Sequence, residues 1–139
     1  MGNHVQRWGG CHCGNITYTL DWPEDVPLAL RKCSCGFCVK HAPSYIGHFR
    51  ASLAVVVRDP SAIGKYEFGT RMASFHSCAR CGVFLFATSV IDGREYAVLN
   101  AHTFDEPVPP TLDIRNFDRE NLENRLARRS TTWISSFTI

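Results

Sequence analysis

At 139 residues, with 45% hydrophobic and 20% charged side chains, the chain has the length and composition of one globular domain, which excludes a largely disordered polymer. Its apolar runs, such as residues 52–57 and 83–87, are too short to cross a bilayer. The opening Met1-Gly2-Asn3-His4-Val5-Gln6 carries neither a signal core nor a myristoylation pattern, so a soluble, cytoplasmic protein with no membrane partner is expected. The formal charge of +2 is no pointer to nucleic acid, because seven thiolates around two zinc ions would change it to −1.

In chain order, Gly9-Gly10 precede Cys11-His12-Cys13-Gly14, and residues 16–20 then alternate apolar and hydroxyl side chains, the period-two pattern of a half-buried strand. Asp21 to Pro27 reads as a turn-rich connector, and Leu28 to Lys32 leads into Cys33-Ser34-Cys35-Gly36-Phe37-Cys38. After a break at Pro43-Ser44, strands are expected over residues 45–50 and 52–57, then a turn at Asp59-Pro60-Ser61 and renewed alternation over 65–68. Residues 71–75 run into Cys78-Ala79-Arg80-Cys81-Gly82. Residues 83–87 and 95–100 read as two further strands with a turn over 91–94 between them, and 107–110 as a stiff loop. One helix is expected, over about residues 118–129, with Asp118 as its cap and Phe117 and Leu122 as a hydrophobic staple. The expected fold is a single domain, residues 1–139, mainly β, of short antiparallel strands tied by thiol-bearing turns, with a C-terminal helix.

The seven cysteines fall into three groups: Cys11 and Cys13; Cys33, Cys35 and Cys38; Cys78 and Cys81. An odd number in tight clusters fits a secreted disulfide framework poorly and points to metal, because a bound cation makes adjacent thiolates tolerable. A thioredoxin-like role for a C-x-x-C pair lacks the βαβ surroundings it needs. A closed structural zinc site takes four ligands in a tetrahedron, whereas a catalytic one takes three and keeps a place open. Four and three use every thiol. By spacing, Cys35 and Cys38 could join Cys78 and Cys81 in a ribbon, or Cys11, Cys13, Cys78 and Cys81 could form the closed site. The second partition is preferred, because three thiols within six residues can enclose one ion locally. A structural zinc contributes about 10–16 kcal/mol against a whole-domain stability of about 5–15 kcal/mol, so metal alone could decide whether so turn-rich a chain folds.

Gly10-Cys11-His12-Cys13-Gly14, the central Cys-x-Cys-x-x-Cys, Phe75-His76-Ser77-Cys78-Ala79-Arg80-Cys81-Gly82 and the segment from Asn100 to Asp105 follow in an order that resembles the glutathione-dependent formaldehyde-activating enzyme family, which includes centromere protein V. The resemblance covers about residues 9–105. It implies a zinc-bearing β-tent, the architecture also of a small Rab-binding chaperone, with two zinc ions per chain. Cys11, Cys13, Cys78 and Cys81 would hold the structural ion, and Cys33, Cys35 and Cys38 the catalytic one. Members often carry basic residues directly after the third central cysteine; here the run is Val39-Lys40-His41, of which Lys40 alone keeps the pattern.

The activity implied is that of a carbon–sulfur lyase acting on a thiol–aldehyde adduct, glutathione plus formaldehyde giving S-hydroxymethylglutathione. Lys40, Lys32 and Arg31 are the candidate partners for the carboxylates of such a thiol. His41, three residues past Cys38, is the candidate proton shuttle or fourth ligand, whereas the ring of His12 should point away from its neighbours' metal and His76 should serve packing. The alternative is a non-catalytic zinc module that binds a protein partner through its β-surface. Nucleic-acid binding is disfavoured, because Arg125, Arg128 and Arg129 make a short basic helix face without interleaved aromatics.

Overall fold

The computed structural model describes residues 3–107, 113–115, 117 and 119–139. Strands β1 (His4–Gly10) and β2 (Ile16–Pro23) form an antiparallel hairpin, in register from His4 opposite Pro23 to Gly10 opposite Thr17. The alternation in β2 is realised: Ile16, Tyr18, Leu20 and Trp22 are buried while Thr17 is exposed. β3 (Arg31–Cys33) leads into a short helix α1 (Gly36–His41), followed by β4 (Tyr45–Ile46) and β5 (Ser52–Val57). β6 (Ile63–Tyr66), β7 (Ser74–Cys78), β8 (Phe84–Ile91) and β9 (Arg94–Asn100) pair in series, each antiparallel to the next. β10 (Asp113–Arg115), helix α2 (Leu122–Thr132) and β11 (Ser136–Thr138) follow. Two sheets result, β1-β2-β5-β11 and β10-β3-β4-β9-β8-β7-β6. Pairing is antiparallel except where β11 joins β5 and β10 joins β3. The fold is mainly β with a C-terminal helix, as expected.

The larger sheet is apolar on both faces, which is why β8 and the end of β9 are buried almost without a break. On one face Leu85, Phe86, Ala97 and Leu99 pack with Ile16, Tyr18, Leu20, Leu53 and Val55 of the smaller sheet. On the other, Phe84, Ala87 and Val98 cluster with Tyr45 and Trp133. A register shift in β7–β8 makes this division possible. Phe84 pairs with Ser77 and Phe86 with His76, so Leu85 is an extra, unopposed residue. In a regular strand Phe84 and Phe86, two residues apart, would point to the same side; with the bulge they serve different cores.

Several boundaries differ from expectation. α2 starts at Leu122 rather than near 118, because the Asn121 side chain accepts the Asn124 N–H at 2.8 Å and so caps the helix there. The fourth helical residue is then Arg125, and Leu122 cannot form the expected staple with Phe117. Asp118, and residues 108–110 of the expected stiff loop, lie outside the described residues. Phe117 is held instead by cations: Arg125 Nη2 donates to its carbonyl at 2.7 Å, and the Arg128 guanidinium lies 3.6 Å from its ring centroid. The strand expected over 45–50 stops at Ile46, since the chain turns and the Ala51 N–H donates back to the His48 carbonyl at 3.0 Å. Gly47 there passes the end of α2 so closely that a Cβ would stand 2.9 Å from the Thr132 oxygen. Strands β1 and β11 and helix α1 had no counterpart in the sequence reading. Among the described residues no helix is long and apolar enough to cross a membrane.

Candidate metal centres

Two turns, between β1 and β2 and between β7 and β8, each present a pair of thiols. The N–H of Cys11 donates to the Ile16 carbonyl at 2.9 Å and that of Cys78 to the Val83 carbonyl at 2.9 Å, so each first cysteine closes the mouth of its turn. Gly14 and Gly82, at φ 82° and 80°, supply the left-handed residue that lets each turn finish tightly. The turns meet, and the sulfurs of Cys11, Cys13, Cys78 and Cys81 all lie within 4.8 Å of one another. Cys13 is 3.7 Å from Cys11 and 3.6 Å from Cys78. A tetrahedral zinc with Zn–S bonds of about 2.3 Å sets its sulfurs about 3.8 Å apart. The donor set therefore fits zinc, and all seven cysteines are free of disulfides.

The proton balance of this cluster favours a cation. Burial pushes the Cys81 thiol up, but the N–H groups of Val83 and Cys13 and the neighbouring thiols outweigh it and hold it down at about 6. Although the Asn15 N–H favours its thiolate, burial and the same neighbours push Cys13 up to about 11. Burial pushes Cys11 up too, but the Ile16 N–H, Cys13 and Cys78 outweigh it and hold it down, so ionisation of Cys11 and Cys81 comes at the expense of Cys13. Four ionise together only around a positive charge.

The other three thiols come from β3 and α1. Cys35 caps α1 through its backbone alone, accepting the Val39 N–H at 2.9 Å. The sulfurs of Cys33, Cys35 and Cys38 lie within 4.8 Å of one another. The Cys35 N–H donates to Cys33 Sγ at 3.5 Å, and the Tyr45 hydroxyl, from β4, sits 3.1 Å from Cys38 Sγ. Cys38 is buried, and its thiol is pushed up by the hydrogen bond to Cys33 and then by burial; burial also pushes up Cys35. This group, too, could hold a metal ion. The two groups belong to different faces of the large sheet: Cys11, Cys78 and Cys81 pack into the core between the sheets, and Cys33, Cys35 and Cys38 against the outer cluster.

Beside the three thiols lies a cavity of about 150 Å³. Phe75, Ala87, Val98 and Trp133 give it apolar walls, and residues 68–70 and Ala73 form one side. Its charged lining is wholly cationic among the described residues: Arg31, Lys32, Arg125, Arg128 and Arg129. Arg128 and Arg125 share Glu120, at 3.1 and 3.7 Å. Arg129 has no such partner among the described residues. Only 9% exposed, it donates through Nη1 to Ser89 Oγ at 3.2 Å and to the Met72 carbonyl at 3.5 Å, and lies 4.9 Å from the Trp133 ring centroid. Its Nε is buried without a hydrogen-bond partner among the described residues. Burial, then Arg128 and Arg125, pull its pKa down to about 10.

Of the residues singled out from sequence, the structure brings Arg31 and Lys32 to the cavity with Cys33, Cys35 and Cys38. Lys40 and His41 are exposed on α1 and do not line it; the His41 ring stacks on Phe37 at 4.2 Å. His12 is exposed, and His76 stacks on Phe86 at 4.6 Å with Nε2 3.1 Å from Thr88 Oγ1. The basic face of α2, weighed in the sequence only as a nucleic-acid surface, lines the cavity, and Tyr45, expected only as part of a strand, stands beside Cys38. A signal existed for the arginines: Trp133, four residues after Arg129, continues their helical face one turn further.

The model of the glutathione-dependent formaldehyde-activating enzyme family matches residues 6–118. Among solved structures, the crystal structure of a Rhodobacter sphaeroides protein, a structural-genomics target, aligns with a TM-score of 0.57 at 23% identity, covering 78% of this chain and 99% of that one. At that identity the likeness is one of fold.

Proposed function

The chain belongs to the glutathione-dependent formaldehyde-activating enzyme family, and from that premise we propose that it is a zinc-dependent enzyme of carbon–sulfur lyase type. Its substrate is the adduct of a small thiol with an aldehyde, such as glutathione with formaldehyde giving S-hydroxymethylglutathione. Cys11, Cys13, Cys78 and Cys81 hold a structural zinc, and Cys33, Cys35 and Cys38 a catalytic one. The observation that carries this reading is the contrast between the clusters: four thiols come together as a complete tetrahedral set at the edge of the core, whereas three meet where a cavity begins. Bound to three thiolates, zinc would supply a further coordination place and favour the thiolate form of a substrate sulfur.

The chain's own residues do the rest. With Cys38 as a thiolate, the Tyr45 hydroxyl 3.1 Å away would donate to its Sγ and fix that ligand's orientation, the part played by outer-shell groups at metal sites generally. Phe75, Ala87, Val98 and Trp133 keep bulk water from the reacting sulfur. Arg31 and Lys32 offer positive charge to the carboxylates of the thiol. In the forward direction a sulfur–carbon bond forms, the carbonyl π bond opens, and the thiol proton ends on the aldehyde oxygen. No oxidant enters.

Metal analysis and a spectroscopic titration test this. Two ions should bind per chain, and glutathione should perturb the ligand-field spectrum of the cobalt-substituted protein, whereas S-methylglutathione, its thiol blocked, should not. A single ion and no thiol-dependent change would leave a non-catalytic zinc module instead.

A further inference from the structure

Resting on that reading of the cavity as a thiol site, we infer that Arg129 is its specificity-determining residue: the guanidinium receives a carboxylate of the substrate, so that α2 selects for anionic thiols. Helix α2 begins at Leu122, beyond the residues that the family model matches, and supplies Arg125, Arg128 and Arg129 to the cavity. A surface helix ordinarily buries an apolar stripe. This one buries an arginine, and Arg129 is its only buried residue.

A buried charge is costly unless it is paired. Glu120 is bound to Arg125 and Arg128, leaving Arg129, among the described residues, two neutral acceptors and an Nε without a hydrogen-bond partner. Trp133 holds one side of its plane. A guanidinium fixed in this way, with donors unused and no carboxylate lining the same cavity among the described residues, is complementary to a carboxylate, whose two oxygens match the guanidinium fork. The three cysteines hold the other end of the ligand. A neutral thiol would engage only that end.

The rival explanation is that Arg129 merely offsets the negative charge of the thiolates. Calorimetric titration of the zinc-loaded chain separates the two. The probes are S-methylglutathione, which keeps the carboxylates without a thiol, and its dimethyl ester. The wild-type protein should bind the acid at least about tenfold more tightly than the ester. Arg129→Met, which keeps length and removes charge, should remove most of the preference, leaving the share that Arg31 and Lys32 contribute, and Arg129→Lys should restore part of what is lost. The wild-type comparison needs no variant, so a misfolded Arg129→Met would not spare the inference. Equal binding of acid and ester by wild type, or an unchanged preference in a folded Arg129→Met, would overturn it. So would an Arg129→Met whose zinc affinity falls while the preference persists. Failure of the thiol reading looks different: glutathione and S-methylglutathione would then bind alike, each still preferred to its ester.

Discussion

Replacing Cys81 with serine should cost far more stability than replacing Cys35, although each removes one sulfur. Cys13 and Cys78, joined across the four-thiol cluster, are 65 residues apart in sequence. By the chain-entropy relation for cross-links, closing a loop of that length is worth about 4 kcal/mol. Cys33 and Cys38 bracket a loop so short that closure is worth only about 2 kcal/mol. Even part of that is already supplied by the Val39 N–H bonded to Cys35. For a chain of this size a loss of about 4 kcal/mol lowers the melting temperature by about 15 °C, a large fraction of a whole-domain stability of about 5–15 kcal/mol. Thermal melts of the zinc-loaded variants, with metal content measured on the same samples, read the difference. Cys35→Ser should lose one ion with a drop of less than about 7 °C, and Cys81→Ser should lose the other with at least twice that drop. Equal losses, or a larger one for Cys35→Ser, would refute the division into a long-range cross-link and a local site.

Two more outcomes follow from contacts near these sites. Tyr45→Phe removes the hydroxyl beside Cys38 and should weaken metal at the three-thiol group by about 10–100-fold, with the four-thiol group unchanged, as competition with a chromogenic chelator would show. Gly47→Ala sets a methyl 2.9 Å from the Thr132 oxygen and 3.3 Å from Trp133 Cα. It should cost about 1–3 kcal/mol in a denaturant melt, and a stability equal to wild type would mean that α2 is not seated as described.

What was legible in the sequence was what depends on neighbours in the chain. Ile16, Tyr18 and Leu20 announced their buried side because a strand alternates faces. The thiols announced their groups because a metal ion gathers ligands from short turns. Strand β1 gave no such signal: Val5 and Trp8 are 42% and 51% exposed, and the strand exists because it pairs along its length with β2. The start of α2 was misplaced because Asp118 and Asn121 are both good caps, and only the fold decides between them. The direction of Arg129 could not be read at all. It depends on Met72 and Ser89, 57 and 40 residues away, coming to lie beneath the helix.

After α2 the chain does something that joins these themes. Trp133 belongs to the outer cluster that borders the cavity, and its neighbour Ile134 to the core between the sheets. Ile134 exchanges both backbone hydrogen bonds with Ala97 of β9, at 2.7 and 3.0 Å, before β11 takes its place beside β5 in the other sheet. The wall of the cavity is thus also the seam between the two layers. A ligand present at a hundredfold its Kd adds about 2.7 kcal/mol to the folded state. Because the seam cannot peel away without dismantling the wall, ligand that depends on that wall slows its opening. Filling the cavity would therefore help to hold β11 beside β5 in the other sheet.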